Sequence, residues 1–186
     1  NNALAVRRLM EAGANPNITV LQGMDFSPFQ TAAAFSAIDA MKEILAQNPT
    51  QSLKYSLHAA LLLYGGFADT VNFLIQARAD VNETYRVEGQ RLWWLVLSAG
   101  AALHRVSPSR FTSFAYHHDG STPLMFSLLG GSYGATLALL AAGARLEPRN
   151  YRQKTAADLA RDMLAPPSLI EALEGQEEEA PLESER

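Results

Sequence analysis

The stretch Gly120 to Glu147, GSTPLMFSLLGGSYGATLALLAAGARLE, sets the strongest constraint on what this chain can fold into. Its landmarks return along the sequence at nearly fixed distances. Small-residue turns that follow an apolar helix-like segment occur at Gly13-Ala14-Asn15-Pro16-Asn17, Ala79-Asp80-Val81-Asn82 and Gly143-Ala144-Arg145-Leu146-Glu147. Ala14 to Ala79 is 65 residues, and Ala79 to Ala144 is 65 again. Each gap is close to twice a period of about 33, the length of a stacked helical hairpin unit. One further copy is therefore expected inside each gap. The first gap holds it in Ser27-Pro28-Phe29-Gln30, Thr31 to Phe35, Met41 to Leu45 and Asn48-Pro49-Thr50. The second holds a poorer copy, which begins at Gly89 and runs from Arg91 to Gly100.

Local chemistry agrees with paired short helices. Ser27 precedes Pro28 and Thr122 precedes Pro123. A hydroxyl there caps the free N–H groups of a first turn, and proline at the first helical position has no N–H to lose. Glycine after the second helix accepts the left-handed conformation that ends it. Helices this short are marginal alone and persist only by packing. Leu137, Leu139 and Leu140 are expected to bury against the neighbouring hairpin, and Ala32-Ala33-Ala34 to let adjacent units approach closely. In the poorer copy, Ser107 is expected to cap and Pro108 to open a short helix reaching Phe114.

The residues resemble the ankyrin repeat family. Its pattern is a Gly-x-Thr-Pro-Leu-His start, an Ala-Ala pair, a Gly at the helix junction, a Leu-Leu pair and a Gly-Ala-Asp-Val-Asn exit. Gly120, Thr122, Pro123, Leu124, Gly131, Leu139, Leu140, Gly143 and Ala144 match it in register, and Thr155 to Ala160 looks like a capping copy. The resemblance spans roughly residues 1–173, strongest over 120–161 and weakest over 83–118. Arg78 stands where the exit glycine is expected, Trp94 and Met125 stand where the family has His, and residues 55–66 fit only with a slip of about two. The resemblance implies an all-α fold, an ankyrin-type α-solenoid of stacked helix-turn-helix repeats with short hairpin-like finger loops. It implies a partial first repeat at 1–18, repeats near 19–50, 51–82, 83–116 and 117–149, a capping repeat at 150–173, and an acidic disordered tail at 174–186. The chain opens inside a second helix, so a longer protein with an upstream repeat is expected.

Such arrays serve as protein-binding scaffolds or adaptors, with the surface formed by finger loops and the exposed side of the first helices. By position that surface takes Met24 and Phe26, Phe35, Tyr64, Glu88 and Gln90, His118, Asp119 and Ser121, and Arg152 and Lys154. The expected function is capture of a protein partner by a monomeric, intracellular, cytoplasmic module. It calls for no catalytic residue, cofactor, metal or small-molecule substrate. The alternative is a substrate-recruiting region of a larger enzyme whose catalytic domain lies elsewhere. A spacer between domains is the third reading.

Charge is uneven. The net value of −4 comes from 15 basic and 19 acidic residues. Residues 171–186 hold seven of the acidic groups and one basic group, which leaves residues 1–170 at +2. Arg145, Arg149, Arg152, Lys154 and Arg161 form a basic patch around Tyr151, which a nucleic-acid reading would need; a solvated finger explains it better, and nucleic acid is not the expected partner. The chain has no cysteine, so disulfides and thiolate metal sites are excluded. Gly120 to Ala144 carries no charge over 25 residues, a length that could span a bilayer, but its five glycines and Pro123 suit two helices better.

Other motifs invite chemistry and lack its context. Gly130-Gly131-Ser132-Tyr133-Gly134 fits G-x-S-x-G, but a helix precedes it and no His follows it. His117-His118-Asp119 has no second ligand cluster nearby, with His58 and His104 placed on helices. Trp93-Trp94 reads as core, or as one core ring and one exposed anchor of the kind enriched at interface hot spots.

Overall fold

The computed structural model describes residues 1–19, 26–62, 66–87 and 91–179. Among the described residues the protein is all-α, with eleven helices and no strand. They are α1 (Ala3–Glu11), α2 (Pro28–Ala34), α3 (Ile38–Gln47), α4 (Ser56–Leu62), α5 (Ala68–Gln76), α6 (Arg91–Leu103), α7 (Arg110–His117), α8 (Pro123–Gly130), α9 (Tyr133–Ala141), α10 (Ala156–Asp162) and α11 (Pro167–Glu179). Among the described residues, no helix is long and apolar enough to cross a membrane. The uncharged run from Gly120 is divided by Gly131, which ends α8 in the left-handed region at φ +69°.

Helix starts follow the capping chemistry. The Thr122 hydroxyl accepts from Met125 N–H, with Pro123 in the first turn. Ser27 with Gln30, and Thr155 with Asp158, form reciprocal capping boxes that satisfy orphan donors of α2 and α10. In the weakest copy the cap is Ser109, paired with Thr112, and α7 runs from Arg110 to His117. Ser107 is not the cap; its carbonyl accepts the Thr112 hydroxyl instead.

Helices pair as α2 with α3, α4 with α5, α8 with α9 and α10 with α11. The first helices also touch in series, α2 on α4, α4 on α8 and α8 on α10, and the second helices meet as α1 on α3 and α5 on α9. A main core runs through them, with Phe29, Met41, Leu57, Leu74, Leu124, Leu128, Leu139, Leu159 and Leu173 fully enclosed. Within it the Ser127 and Thr136 hydroxyls share a 2.8 Å hydrogen bond between α8 and α9. Leu140 is only half-buried and Leu137 is exposed, because α9 turns Ala135, Thr136 and Leu139 inward. The cost of truncating an enclosed leucine to alanine, about 2–5 kcal/mol, therefore belongs to Leu139.

The segment expected to form a repeat at 83–116 sits differently. Because α4 packs directly on α8 and α5 on α9, nothing is stacked between them. The chain leaves the series after Tyr85, forms α6 and α7 against each other, and returns at Gly120. Its two ends are already joined: Gly120 N–H donates to Tyr85 O at 2.9 Å, and Tyr85 N–H donates to Ser121 O at 2.9 Å. The α6–α7 hairpin is an excursion beside the series, leaning on α8 through α7. Its own small core is Trp93, Leu97 and Ala115. At the other end, α11 continues to Glu179, so residues 174–179, expected within a disordered tail, are helical.

Candidate functional site

A groove of about 940 Å³ opens where the excursion meets the loops of the main series. One wall is α6, which offers Trp94, Leu97, Ser98 and Ala101, with Arg105 just past its end. Ala115 and Tyr116 come from α7, Arg86 and Val87 from the segment leaving the series, His118 and Asp119 from its return, and Tyr151 and Arg152 from the next loop. The loops are held together by backbone bonds. Tyr151 N–H donates to Asp119 O at 3.1 Å, and Asn150 reaches across to His117 O and the Ser121 hydroxyl.

The groove is positively charged. Arg86, Arg105 and Arg152 enter no ion pair among the described residues. Arg152 stacks 4.1 Å over the Tyr116 ring while its Nε donates to Tyr116 O, and Arg86 lies 5.6 Å over the Tyr151 ring. Guanidinium groups placed on ring faces keep their charge and their fork of donors available while losing rotamer freedom. Among the described residues, Asp119 is the one carboxylate that lines the groove. Trp94 is 56% exposed beside it, while its neighbour Trp93 is enclosed and donates to the Tyr85 hydroxyl at 3.3 Å.

Burial works against protonation of His117 and His118. Burial lowers the His118 pKa, and its Nδ1 bonds Ala115 O at 2.9 Å. Burial also pushes His117 down to about 4. His117 is buried next to Asn150 while His118 lines the groove, so the two rings do not converge with Asp119 on one point. Among the described residues, no three His, Cys, Asp or Glu side chains gather as a metal site. Ser132 is buried between two helices, so the strand-to-helix turn of a nucleophile elbow is not present around it.

Of the residues expected to contact a partner, the structure brings His118, Asp119 and Arg152 into the groove. Ser121 is fully enclosed, its hydroxyl donating to His117 O at 2.6 Å, and Phe26 is 6% exposed in the core; neither can meet a partner. Phe35 is exposed but lines a separate apolar groove between α1 and α2. Lys154 pairs with Asp162 at 2.9 Å. Met24, Tyr64, Glu88 and Gln90 lie outside the described residues.

The basic patch expected around Tyr151 is largely neutralised. Arg149 and Arg161 reach Asp158, Arg161 also holds Glu174 at 2.7 Å, and Lys154 has its own carboxylate. Arg86, Arg105 and Tyr116, absent from the sequence-based set, carry the charge and the ring platform instead. One signal for Arg105 was present in the sequence: residues 91–118 contain three arginines and no acidic residue.

No protein-family model matches this chain, and no curated protein matches it.

Proposed function

We propose that this chain is an ankyrin-type array that works as a protein-binding module, with the arginine–tyrosine groove as its docking surface. The backbone supports the array reading. Left-handed residues fall into three register series: Gly13, Arg78 and Gly143 after second helices; Ser36, Gly66, Gly131 and Leu164 between paired helices; Tyr55, Gly120 and Gln153 in the loops before first helices. Within the first series the step is 65 residues, and Tyr55 to Gly120 is also 65, followed by 33 to Gln153. No such residue falls within the described part of the excursion, and the steps from Arg78 to Gly143 and from Tyr55 to Gly120 both run across it.

The observation that carries the binding reading is the groove's charge. Three arginines that enter no ion pair among the described residues, two of them stacked on tyrosines, stand beside an exposed tryptophan. Arginine, tyrosine and tryptophan are the side chains most enriched at protein interface hot spots. Cross-linked pull-down with the purified chain tests it. Arg86→Glu/Arg152→Glu is expected to lose the proteins that the unaltered chain retains, while Phe35→Ala keeps them. Equal retention by all three forms refutes the groove as the docking surface.

A further inference from the structure

The α6 helix has three faces. Trp93, Leu97 and Gly100 turn inward, with Gly100 closing onto Ala115 and Phe111 of α7. Trp94, Ser98, Ala101 and Arg105 line the groove. The third face has no packing partner among the described residues and is apolar: Leu92, Leu95 and Leu103 are each more than half exposed, Val106 beyond the helix end is 83% exposed, and Val96 and Ala99 fill the spaces between. Steps of three and four residues put these side chains in one stripe along the helix. A contiguous apolar stripe on an exposed helix marks an interaction surface.

The shape and charge of this surface specify its occupant. A stripe along 13 residues is about 20 Å long, the reach of a partner helix of three to four turns packed side by side. Beside the stripe, and reached over Ser98 and Ala102, lies the groove with Arg86, Arg105 and Arg152. A helix that buried an apolar face on α6 would therefore meet positive charge along one flank. Resting on the proposed protein-binding role, we propose that the partner presents an acidic amphipathic helix, seated along the outer face of α6 with its carboxylates turned into the Arg86–Arg105–Arg152 groove. An anionic bilayer also favours apolar and basic groups. It suits this site less well, because Arg86 and Arg152 are drawn onto tyrosines inside a concavity that also holds Asp119, where a flat surface cannot enter.

The two tryptophans report on this directly, since Trp93 is enclosed and Trp94 is exposed in the lining of the groove that the partner's carboxylates would enter. The full chain is titrated with two designed helical peptides of about 14 residues that share one leucine stripe and carry either Glu or Lys on the flanks. A third titration uses vesicles of phosphatidylserine and phosphatidylcholine. The Glu peptide is expected to shift Trp emission to the blue, shield it from iodide, and bind about tenfold more tightly than the Lys peptide, with the preference shrinking as salt is raised. Leu95→Glu and Leu103→Glu should each abolish the shift while leaving the helical circular dichroism intact, since both residues are exposed. Arg86→Ala/Arg152→Ala should bring the two peptides to similar affinity. Equal binding of both peptides to the unaltered chain overturns the proposal, and so does a Trp shift produced by vesicles and by neither peptide. If neither peptide binds while cross-linked pull-down still depends on Arg86 and Arg152, the helix is refuted and the groove reading stands.

Discussion

His58 sits at the joint that makes α4 and α8 neighbours, and its titration tests that joint. It is 1% exposed, within ring-contact distance of Tyr55, Tyr85 and Phe126, and its Nε2–H donates to Ser121 O at 3.1 Å. Burial removes water from the imidazolium without supplying a carboxylate, so the pKa falls from 6.5 to about 3. The sign follows. The unfolded chain takes up a proton near 6.5, the native chain does not until near 3, so stability is intact above 6.5 and drains away as pH falls between those values. At about pH 5 the unfolded form is favoured by roughly 2 kcal/mol from this residue alone, at about 1.4 kcal/mol per unit of pH below the unfolded pKa. His117, pushed down to about 4 by burial, works in the same direction.

His58→Phe isolates the effect. The ring is kept among its aromatic neighbours, and Ser121 O is not orphaned, because Tyr85 N–H still donates to it. Urea unfolding followed by circular dichroism, from about pH 7 down to about pH 5, should show the unaltered chain losing about 2 kcal/mol more than the variant, with the variant's pH profile flatter by about one proton. Parallel profiles across that window would refute the reasoning. They would mean that His58 is protonated in the native state, and so that the α4–α8 joint is open to water.

Two further outcomes follow from the backbone. Arg78 holds φ +68° where the other second-helix exits carry Gly13 and Gly143; Arg78→Gly should raise stability by about 0.5–1 kcal/mol by relieving left-handed strain, read as a higher urea midpoint, and a lower midpoint would argue against strain there. Excising residues 87–117 and joining the ends with a short Gly-Ser linker should leave a folded helical chain that still melts cooperatively, because Tyr85 and Gly120 are already hydrogen-bonded; loss of helical signal from α1–α5 would show instead that the hairpin is a structural member of the series.

Much of the helical framework was legible in the sequence. The hydroxyl–proline starts at Ser27 and Thr122, the glycine exits at Gly13 and Gly143, and the start of the first helix at Ala3 are local features, set by caps and backbone preference within a few residues. Two kinds of statement were not legible. The 65-residue gap from Ala79 to Ala144 is the same number whether it holds two stacked units or one unit and an excursion, and only the contact of α4 with α8 decides between them. Burial of individual loop residues was the other. Ser121 and Phe26 stand at positions that read as surface, yet Ser121 is enclosed because His117 O and Asn150 satisfy its hydroxyl, a condition supplied by residues from the excursion and from the following loop. The groove shares this origin, since its wall and its floor come from segments far apart in sequence.

The excursion also explains why one site combines charge with apolar exposure. A hairpin stacked within the series has neighbours on both sides, so its helices can bury two faces. Set beside the series, α6 has α7 on one side and, among the described residues, no packed helix opposite, and its enclosed core shrinks to Trp93, Leu97 and Ala115. So small a core contributes little on its own, and the hairpin depends on Phe114 against Phe126 and on Trp93 against Tyr85 for its attachment. A sequence under no further demand would place polar residues on the open side of such a helix, at a gain in solubility and almost no loss of stability. This one places Leu92, Leu95, Val96 and Leu103 there, next to a groove whose arginines enter no ion pair among the described residues. An exposed apolar stripe is stabilised only when another surface covers it, which is the physical ground for the proposal that places binding at the excursion.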